Sequence, residues 1–155
     1  MHRRTTARAR ETGASLRALV IGVLAIATLA GLGWRQMEKA RYAAYKPEAT
    51  KMLAVLTDVE LRLGKSTNAL QNFQAMIPVT PALEKFKAWC ADKPKVKEYA
   101  SYTSLVTSAE AFVRSNDCWT RLLNGEASTD KDLLQTWRIG LNAVKAAREQ
   151  IAHDE

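Results

Sequence analysis

The stretch ALVIGVLAIATLAGLGW, residues 18–34, decides how the rest of the chain is interpreted. It holds 17 uncharged residues between Arg17 and Arg35. As a helix rising about 1.5 Å per residue it can just cross a hydrocarbon core about 30 Å thick, and flanking arginines can snorkel to extend its reach. We therefore predict a transmembrane signal-anchor, with an interfacial tryptophan at its end. The residues assigned to the membrane span are Ala18, Leu19, Val20, Ile21, Leu24, Ile26, Leu29, Leu32 and Trp34.

Two other interpretations of this stretch stay open. A cleaved secretory signal would use the small residues Thr28 and Ala30 for a cut before Gly31. A buried helix of a water-soluble domain is the other. The run is longer than the about 7–15 residues usual for a signal peptide, which favours retention of the segment.

The charges that flank the stretch predict its orientation. Lys and Arg are favoured on the cytoplasmic side, and the residues after the span are also basic, so the bias is small. A short, acid-poor basic tail is typical of a signal-anchor with its N terminus in the cytoplasm, and a mitochondrial inner-membrane location stays open. We expect an inner-membrane protein with its C-terminal domain in the periplasm. The arginines before the span are Arg3, Arg4, Arg8, Arg10 and Arg17.

Composition excludes several classes of protein. The chain has 155 residues, of which 47% are hydrophobic and 25% charged, so it is neither disordered nor a multi-span membrane protein. The formal net charge is +7, but residues 1–35 account for +5 of it, with six arginines against one glutamate. A nucleic-acid-binding domain carries its basic excess on its own surface. We therefore expect no nucleic-acid partner.

The remainder shows helical periodicity and no strand-like alternation. We predict an all-α protein: one N-terminal transmembrane helix, then a small antiparallel bundle of four to five helices. The predicted segments are a basic cytoplasmic tail (1–17), the span (18–34), a juxtamembrane helix extension (35–46) and an exported helical domain (47–155). Pro47 is expected to stop or kink the helix before it. Whether 47–77 forms one helix or two stays open, with Gly64 and Ser66 as the possible end and new cap.

Breakers and caps divide the rest of this domain. Thr80 is the predicted N-cap of a helix with Pro81 at its first position, and Asn124-Gly125 is the predicted C-cap of a later helix. Thr129 and Asp132 resemble a capping box for the last helix. The predicted apolar faces are Ala49, Met52, Leu53, Leu56, Val59, Leu63, Leu70, Phe73 and Ile77; Leu83, Phe86, Trp89 and Cys90; Tyr99, Tyr102, Val106, Ala109, Phe112, Val113, Trp119 and Leu122; Leu133, Leu134, Trp137, Leu141, Val144 and Ile151.

The two cysteines, Cys90 and Cys118, lie in the part predicted to be exported. An even number of cysteines in an oxidising compartment predicts a disulfide between them, with inert buried thiols as the alternative. No metal site is expected, because the chain has no CxxC motif and its histidines, His2 and His153, lie near opposite ends.

Charged residues offer two weaker signals. Glu48, Glu60, Glu84 and Glu110 are candidates for the acid of a glycan-cleaving enzyme, which needs a raised pKa in a cleft. A basic cluster around Pro94 could contact lipid headgroups or an acidic partner. That cluster consists of Lys85, Lys87, Lys93, Lys95 and Lys97.

These features favour a non-catalytic, membrane-anchored binding protein, acting as a regulatory, assembly or inhibitory accessory subunit of a cell-envelope or membrane complex. We expect no catalytic residues, no cofactor and no small-molecule substrate. The expected partners are membrane lipid and another membrane or envelope protein. The alternatives are a membrane-tethered peptidoglycan hydrolase using a Glu, and a structural single-pass subunit whose span packs within a large complex.

Overall fold

The computed structural model describes residues 5–66, 68–125 and 130–153, and within these ranges it is helical without strands. The all-α prediction is therefore confirmed. The chain divides into two compact units, Met1–Arg41 and Tyr42–Glu155. The elements are α1 (Thr5–Lys65), α2 (Ala69–Met76), α3 (Val79–Cys90), a 3₁₀ helix (Pro94–Glu98), α4 (Ala100–Leu123) and α5 (Asp130–His153).

The first unit consists of the N-terminal part of α1. This part contains a segment long and apolar enough to cross a membrane, and no residue of that segment is buried within the protein. Ile21 and Leu29 are 67% and 69% exposed. The predicted orientation charges Arg3 and Arg4 lie outside the described residues. A long apolar helix near the N terminus is thus present.

Helix α1 does not stop at Pro47, so of the two outcomes predicted there, a stop or a kink, the stop is wrong. A proline inside a helix removes one backbone hydrogen bond and costs about 3 kcal/mol. Here Tyr45 and Ala49, on either side of the proline, are fully buried, and burial of a large apolar side chain contributes about 1.5–3 kcal/mol. Tertiary packing on both sides of Pro47 therefore outweighs the local preference.

The part of α1 after Pro47 buries the predicted apolar stripe, and the helix ends at Lys65. Residues 47–77 therefore form two helices. The N-cap of α2 is Asn68, not Ser66, because the Asn68 side chain accepts a hydrogen bond of 2.9 Å from the Gln71 N–H. The stripe was predicted to continue through Leu70 and Ile77, but these are 57% and 51% exposed.

Helix α3 begins at Val79, so Thr80 is in its first turn and is not its N-cap. Pro78 at φ −67° already has helical geometry, which allows the helix to begin earlier than predicted. The short 3₁₀ helix after α3 was not predicted, and its Val96 is buried. Gly125 confirms the predicted end of α4, because it has φ +74° and its N–H donates to the Leu122 carbonyl oxygen.

Helices α4 and α5 pack closely through small residues. Ser108 Oγ donates to the Gly140 carbonyl oxygen at 3.0 Å, and Ser115 Oγ lies 2.8 Å from Thr136 Oγ1. A Cβ atom at Gly140 would lie 2.9 Å from Phe112 Cε1, so the contact requires glycine. The fully buried serines of α4 were not predicted from the sequence. They are spaced seven residues apart: Ser101, Ser108 and Ser115.

The apolar face of α5 is largely as predicted. Leu133, Val144 and Ile151 are buried, whereas Leu134, predicted to share that face, is 61% exposed. Leu133 and Leu134 are adjacent, and neighbouring helix positions point about 100° apart, so only one of them can face α4. Thr129, half of the predicted capping box, lies outside the described residues.

Candidate binding groove

A groove of about 320 Å³ lies between α1 and α3, within the unit Tyr42–Glu155. Each helix contributes residues three to four positions apart, which lie on one face of a helix. The residues lining this α1–α3 groove are Glu48, Lys51, Met52, Val55, Pro81, Ala82, Lys85 and Phe86.

The floor of the α1–α3 groove is apolar. Met52 and Phe86 are 3% and 4% exposed, and Val55 and Ala82 are half-buried. The flexible thioether of methionine adapts to differently shaped apolar partners, and a phenylalanine ring offers a large apolar contact area. The groove can therefore accept apolar side chains from outside, because its half-buried residues are reachable from solvent.

Aromatic contacts hold the Phe86 ring in place. Its centroid lies 6.2 Å from that of Tyr45 and 5.7 Å from that of Tyr102, and Tyr45 lies 4.9 Å from Tyr99. The Tyr45 hydroxyl lies 3.0 Å from Ser101 Oγ in a buried hydrogen bond. Each aromatic pair contributes about 0.5–1.5 kcal/mol beyond its buried area. The Phe86 ring is thus held in place before anything binds.

The rim of the groove is charged and has a positive excess. Lys51 Nζ lies 2.5 Å from Glu48 Oε1, so that lysine is already neutralised. Lys85, on the opposite wall, is exposed and forms no ion pair in residues 5–66, 68–125 and 130–153. A partner with a carboxylate can therefore be recognised at Lys85.

Most of the basic cluster predicted around Pro94 is neutralised by neighbouring acids. Lys87, Lys93 and Lys95 each have a carboxylate oxygen within 2.8–2.9 Å. Lys93 also lies 4.5 Å from the Trp89 ring centroid, and its hydrogen bond is the main reason that the pKa of Asp92 is lowered. The cluster is therefore a largely paired surface. The acids in these pairs are Glu110, Asp92 and Glu98, respectively.

The predicted disulfide is absent: Cys90 and Cys118 are free thiols, the first buried and the second half-buried. Burial raises the pKa of Tyr102, and the nearby Cys90 adds to this shift, so Cys90 lies near the first turns of α4. Cys118 lies sixteen residues beyond Tyr102 on the same helix, roughly 24 Å away at about 1.5 Å per residue. A disulfide needs Cα atoms within about 7 Å of each other, so this fold keeps the two thiols apart.

The candidate catalytic carboxylates do not converge. Glu48 pairs with Lys51, Glu60 with Arg148 at 2.6 Å, and Glu110 with Lys87. Within the described part of the chain there is also no group of three or more His, Cys, Asp or Glu side chains placed to hold a metal ion.

Sequence reasoning missed the α1–α3 groove as a site. It assigned Met52 and Phe86 to the core, which is correct, but it did not single out Val55, Ala82 or Lys85 as neighbours. Each lies next to a core position on its helix wheel. The missing information was the pairing of α1 with α3, which periodicity within one helix cannot give.

Comparison of the chain with protein-family models, with curated proteins and with solved structures gave no match.

Proposed function

We propose that the protein is a membrane-anchored, non-catalytic binding protein that acts as a regulatory, assembly or inhibitory accessory subunit of a cell-envelope or membrane complex. The observation that carries the proposal is the α1–α3 groove, a preformed apolar slot with a charged rim on a chain that also has an apolar N-terminal helix. Anchoring raises the local concentration of a binder at the membrane, so weak contacts suffice.

The proposed location is the inner membrane, with residues 18–34 as an uncleaved span. The N terminus lies in the cytoplasm, and the unit Tyr42–Glu155, a small antiparallel helical bundle, lies in the periplasm. The basic residues before the span support this orientation. The free thiols Cys90 and Cys118 give no support for an oxidising compartment, so the proposed orientation is supported by charge alone.

Reporter fusions test the location and orientation. We expect alkaline phosphatase fused to the C terminus to be active and green fluorescent protein fused there to be dark, because each folds productively on one side of the membrane. The opposite pattern would contradict the orientation. Recovery of the fusion in the soluble periplasmic fraction would indicate a cleaved signal.

A non-catalytic role is supported by the pairing of Glu48, Glu60 and Glu110 with three different cations, because a glycan hydrolase places two carboxyl groups on either side of one bond. A gel assay for peptidoglycan clearing by the purified full chain tests this part of the proposal. Clearing that disappears in one Glu→Gln variant would contradict it.

Photo-crosslinking in native membranes tests the binding role itself. A benzophenone amino acid at position 51, on the exposed rim, should capture a defined partner protein, identified by mass spectrometry. Ala82→Trp, which fills the groove, should remove this crosslink. The matched control Ala88→Trp, on an exposed position of the same helix, should retain it. Binding at this groove would be contradicted if no partner were captured reproducibly, or if both variants captured the partner equally.

A further inference from the structure

We propose that the occupant of the α1–α3 groove is an acidic amphipathic segment of a partner protein. Its aliphatic side chains enter the slot, and one of its carboxylates pairs with Lys85. This inference rests on the proposed binding function and adds the chemical class of the partner. Three observations carry it: the shape of the groove, the composition of its floor and the distribution of charge around it.

The size of the groove suits part of a protein segment. Its volume of about 320 Å³ lies at the small end of the range of about 300–1,000 Å³ for ligand pockets. Its walls include the exposed residues Lys51, Pro81 and Lys85, so it opens to solvent and does not enclose a ligand. A slot of this kind takes a few anchoring side chains of a helix or extended segment, while the rest of the segment stays outside.

The floor is suited to aliphatic anchors. Binding energy at interfaces concentrates where apolar side chains enter preformed, desolvated pockets. Met52 and Phe86 provide such a base because both are nearly fully buried, and the aromatic neighbours of Phe86 hold it in position. Folding has therefore already ordered the Phe86 ring, so binding of a partner does not carry the entropic cost of ordering it.

The charges around the groove select an acidic partner over a basic one. Lys87, Lys93 and Lys95 have carboxylate partners at 2.8–2.9 Å, whereas Lys85 and Lys97 have none in the described ranges. Of these two unpaired lysines, Lys85 is the one that lines the groove. The rim acid Glu48 is held by Lys51. The uncompensated charge at the groove is therefore positive and belongs to Lys85. A rim charge of this kind contributes more to selectivity than to total affinity.

The test uses the full chain in nanodiscs of zwitterionic lipid and three fluorescent helical peptides. The peptides share one leucine face and carry glutamate, glutamine or lysine on the other. Fluorescence anisotropy gives each affinity after subtraction of the signal from empty nanodiscs. We expect the acidic peptide to bind about tenfold more tightly than the lysine peptide, because reversing the sign of one rim charge changes both an attraction and a repulsion.

Two variants and two control variants assign the binding to named residues. Lys85→Glu should weaken the binding of the acidic peptide about five- to tenfold and strengthen the binding of the lysine peptide, as expected when one rim charge is reversed. Ala82→Trp should weaken the binding of all three peptides by more than about tenfold, because the indole ring occupies the groove. Ala88→Trp and Lys145→Glu, both exposed and away from the groove, should leave every affinity unchanged. Circular dichroism checks that each variant is folded.

Several outcomes would overturn the inference. It fails if no peptide binds above empty nanodiscs at high micromolar concentration, or if affinity does not depend on peptide charge. It also fails if the acidic peptide is displaced by anionic lipid in the nanodisc, or if the groove proves to hold a second copy, seen as a dimer that Ala82→Trp dissociates. The proposed binding function survives each of these results if photo-crosslinking at position 51 still captures a partner protein that Ala82→Trp removes.

Discussion

The two parts of α1 belong to one continuous helix and have opposite surfaces. Before Arg41, Ile21 and Leu29 are 67% and 69% exposed, whereas after it Leu56 and Val59 are 0% and 1% exposed. Within the first part, residues 18–34 are uncharged on every side of the helix, as in a membrane span, whereas the second part has a single apolar stripe, as in a globular domain. The apolar side chains of the two parts are therefore kept from water in different ways. In our proposal lipid covers those of the first part, whereas the protein itself buries those of the second.

The largest effect should come from removing a side chain that the protein itself buries. Leu56→Ala should lower the free energy of unfolding by about 2–5 kcal/mol, because it removes apolar contacts and leaves a cavity. The matched change Leu29→Ala should alter the free energy of unfolding by no more than about 0.5 kcal/mol, because this side chain is 69% exposed and buries little against the protein. Denaturant unfolding of the full chain in mild detergent measures both. Equal effects would show that the two parts of α1 do not differ in this way.

A charge placed in each part should affect membrane attachment in the opposite order, with a large effect in the first part and none in the second. Leu24→Arg puts a charge into the proposed span at a cost of about 2.5–3.5 kcal/mol for insertion, large for a segment of marginal length. Leu61→Arg, at a position 55% exposed in the second part, should leave attachment unchanged. The fraction retained in membranes after alkaline carbonate extraction measures the difference. Full retention of the Leu24→Arg chain would argue against a span at residues 18–34.

Glycine substitutions probe the same contrast with a smaller effect. Gly140→Ala should destabilise the protein by about 1 kcal/mol, because overpacking against the fully buried Phe112 ring exceeds the gain in helix propensity. Gly33→Ala should not destabilise it, because a Cβ there meets nothing within 4 Å. In the double variant Phe112→Leu/Gly140→Ala, the loss due to Gly140→Ala should shrink, and a double-mutant cycle in denaturant measures this coupling. Additive effects would contradict the proposed close contact of α4 with α5.

The sequence predicts the helices well where burial follows a single-helix pattern. The stripe from Ala49 to Leu63 and the glycine at the end of α4 are both found as expected. Local rules fail at Pro47 and Leu70 because tertiary contacts, which a single-helix pattern does not contain, decide the outcome. Burial on both sides keeps the helix continuous at Pro47, and α2 turns Leu70 away from the core.

The candidate site was harder to predict than the fold, because it depends on which helices are neighbours. Lys85 belonged to a predicted cluster of five lysines, and only the structure shows that three of the other four have carboxylate partners. The disulfide prediction failed for the same reason. Counting cysteines gives no distance, whereas the course of α4 separates Cys90 from Cys118 by several helical turns.

The smallest expected effect concerns these two thiols. Burial raises the pKa of the Cys90 thiol, although Lys93 and Lys97 oppose the shift. A thiol with a pKa raised in the folded state stabilises the protein below its unfolded pKa of about 8.5 and loses that contribution as the pH rises further. Between about pH 8.5 and 10, the free energy of unfolding should therefore fall less for Cys90→Ala than for the parent or Cys118→Ala. Denaturant unfolding at each pH measures this difference. Superimposable pH profiles for the two variants, or a Cys90–Cys118 peptide in non-reducing digests, would contradict a buried free thiol at the end of α3.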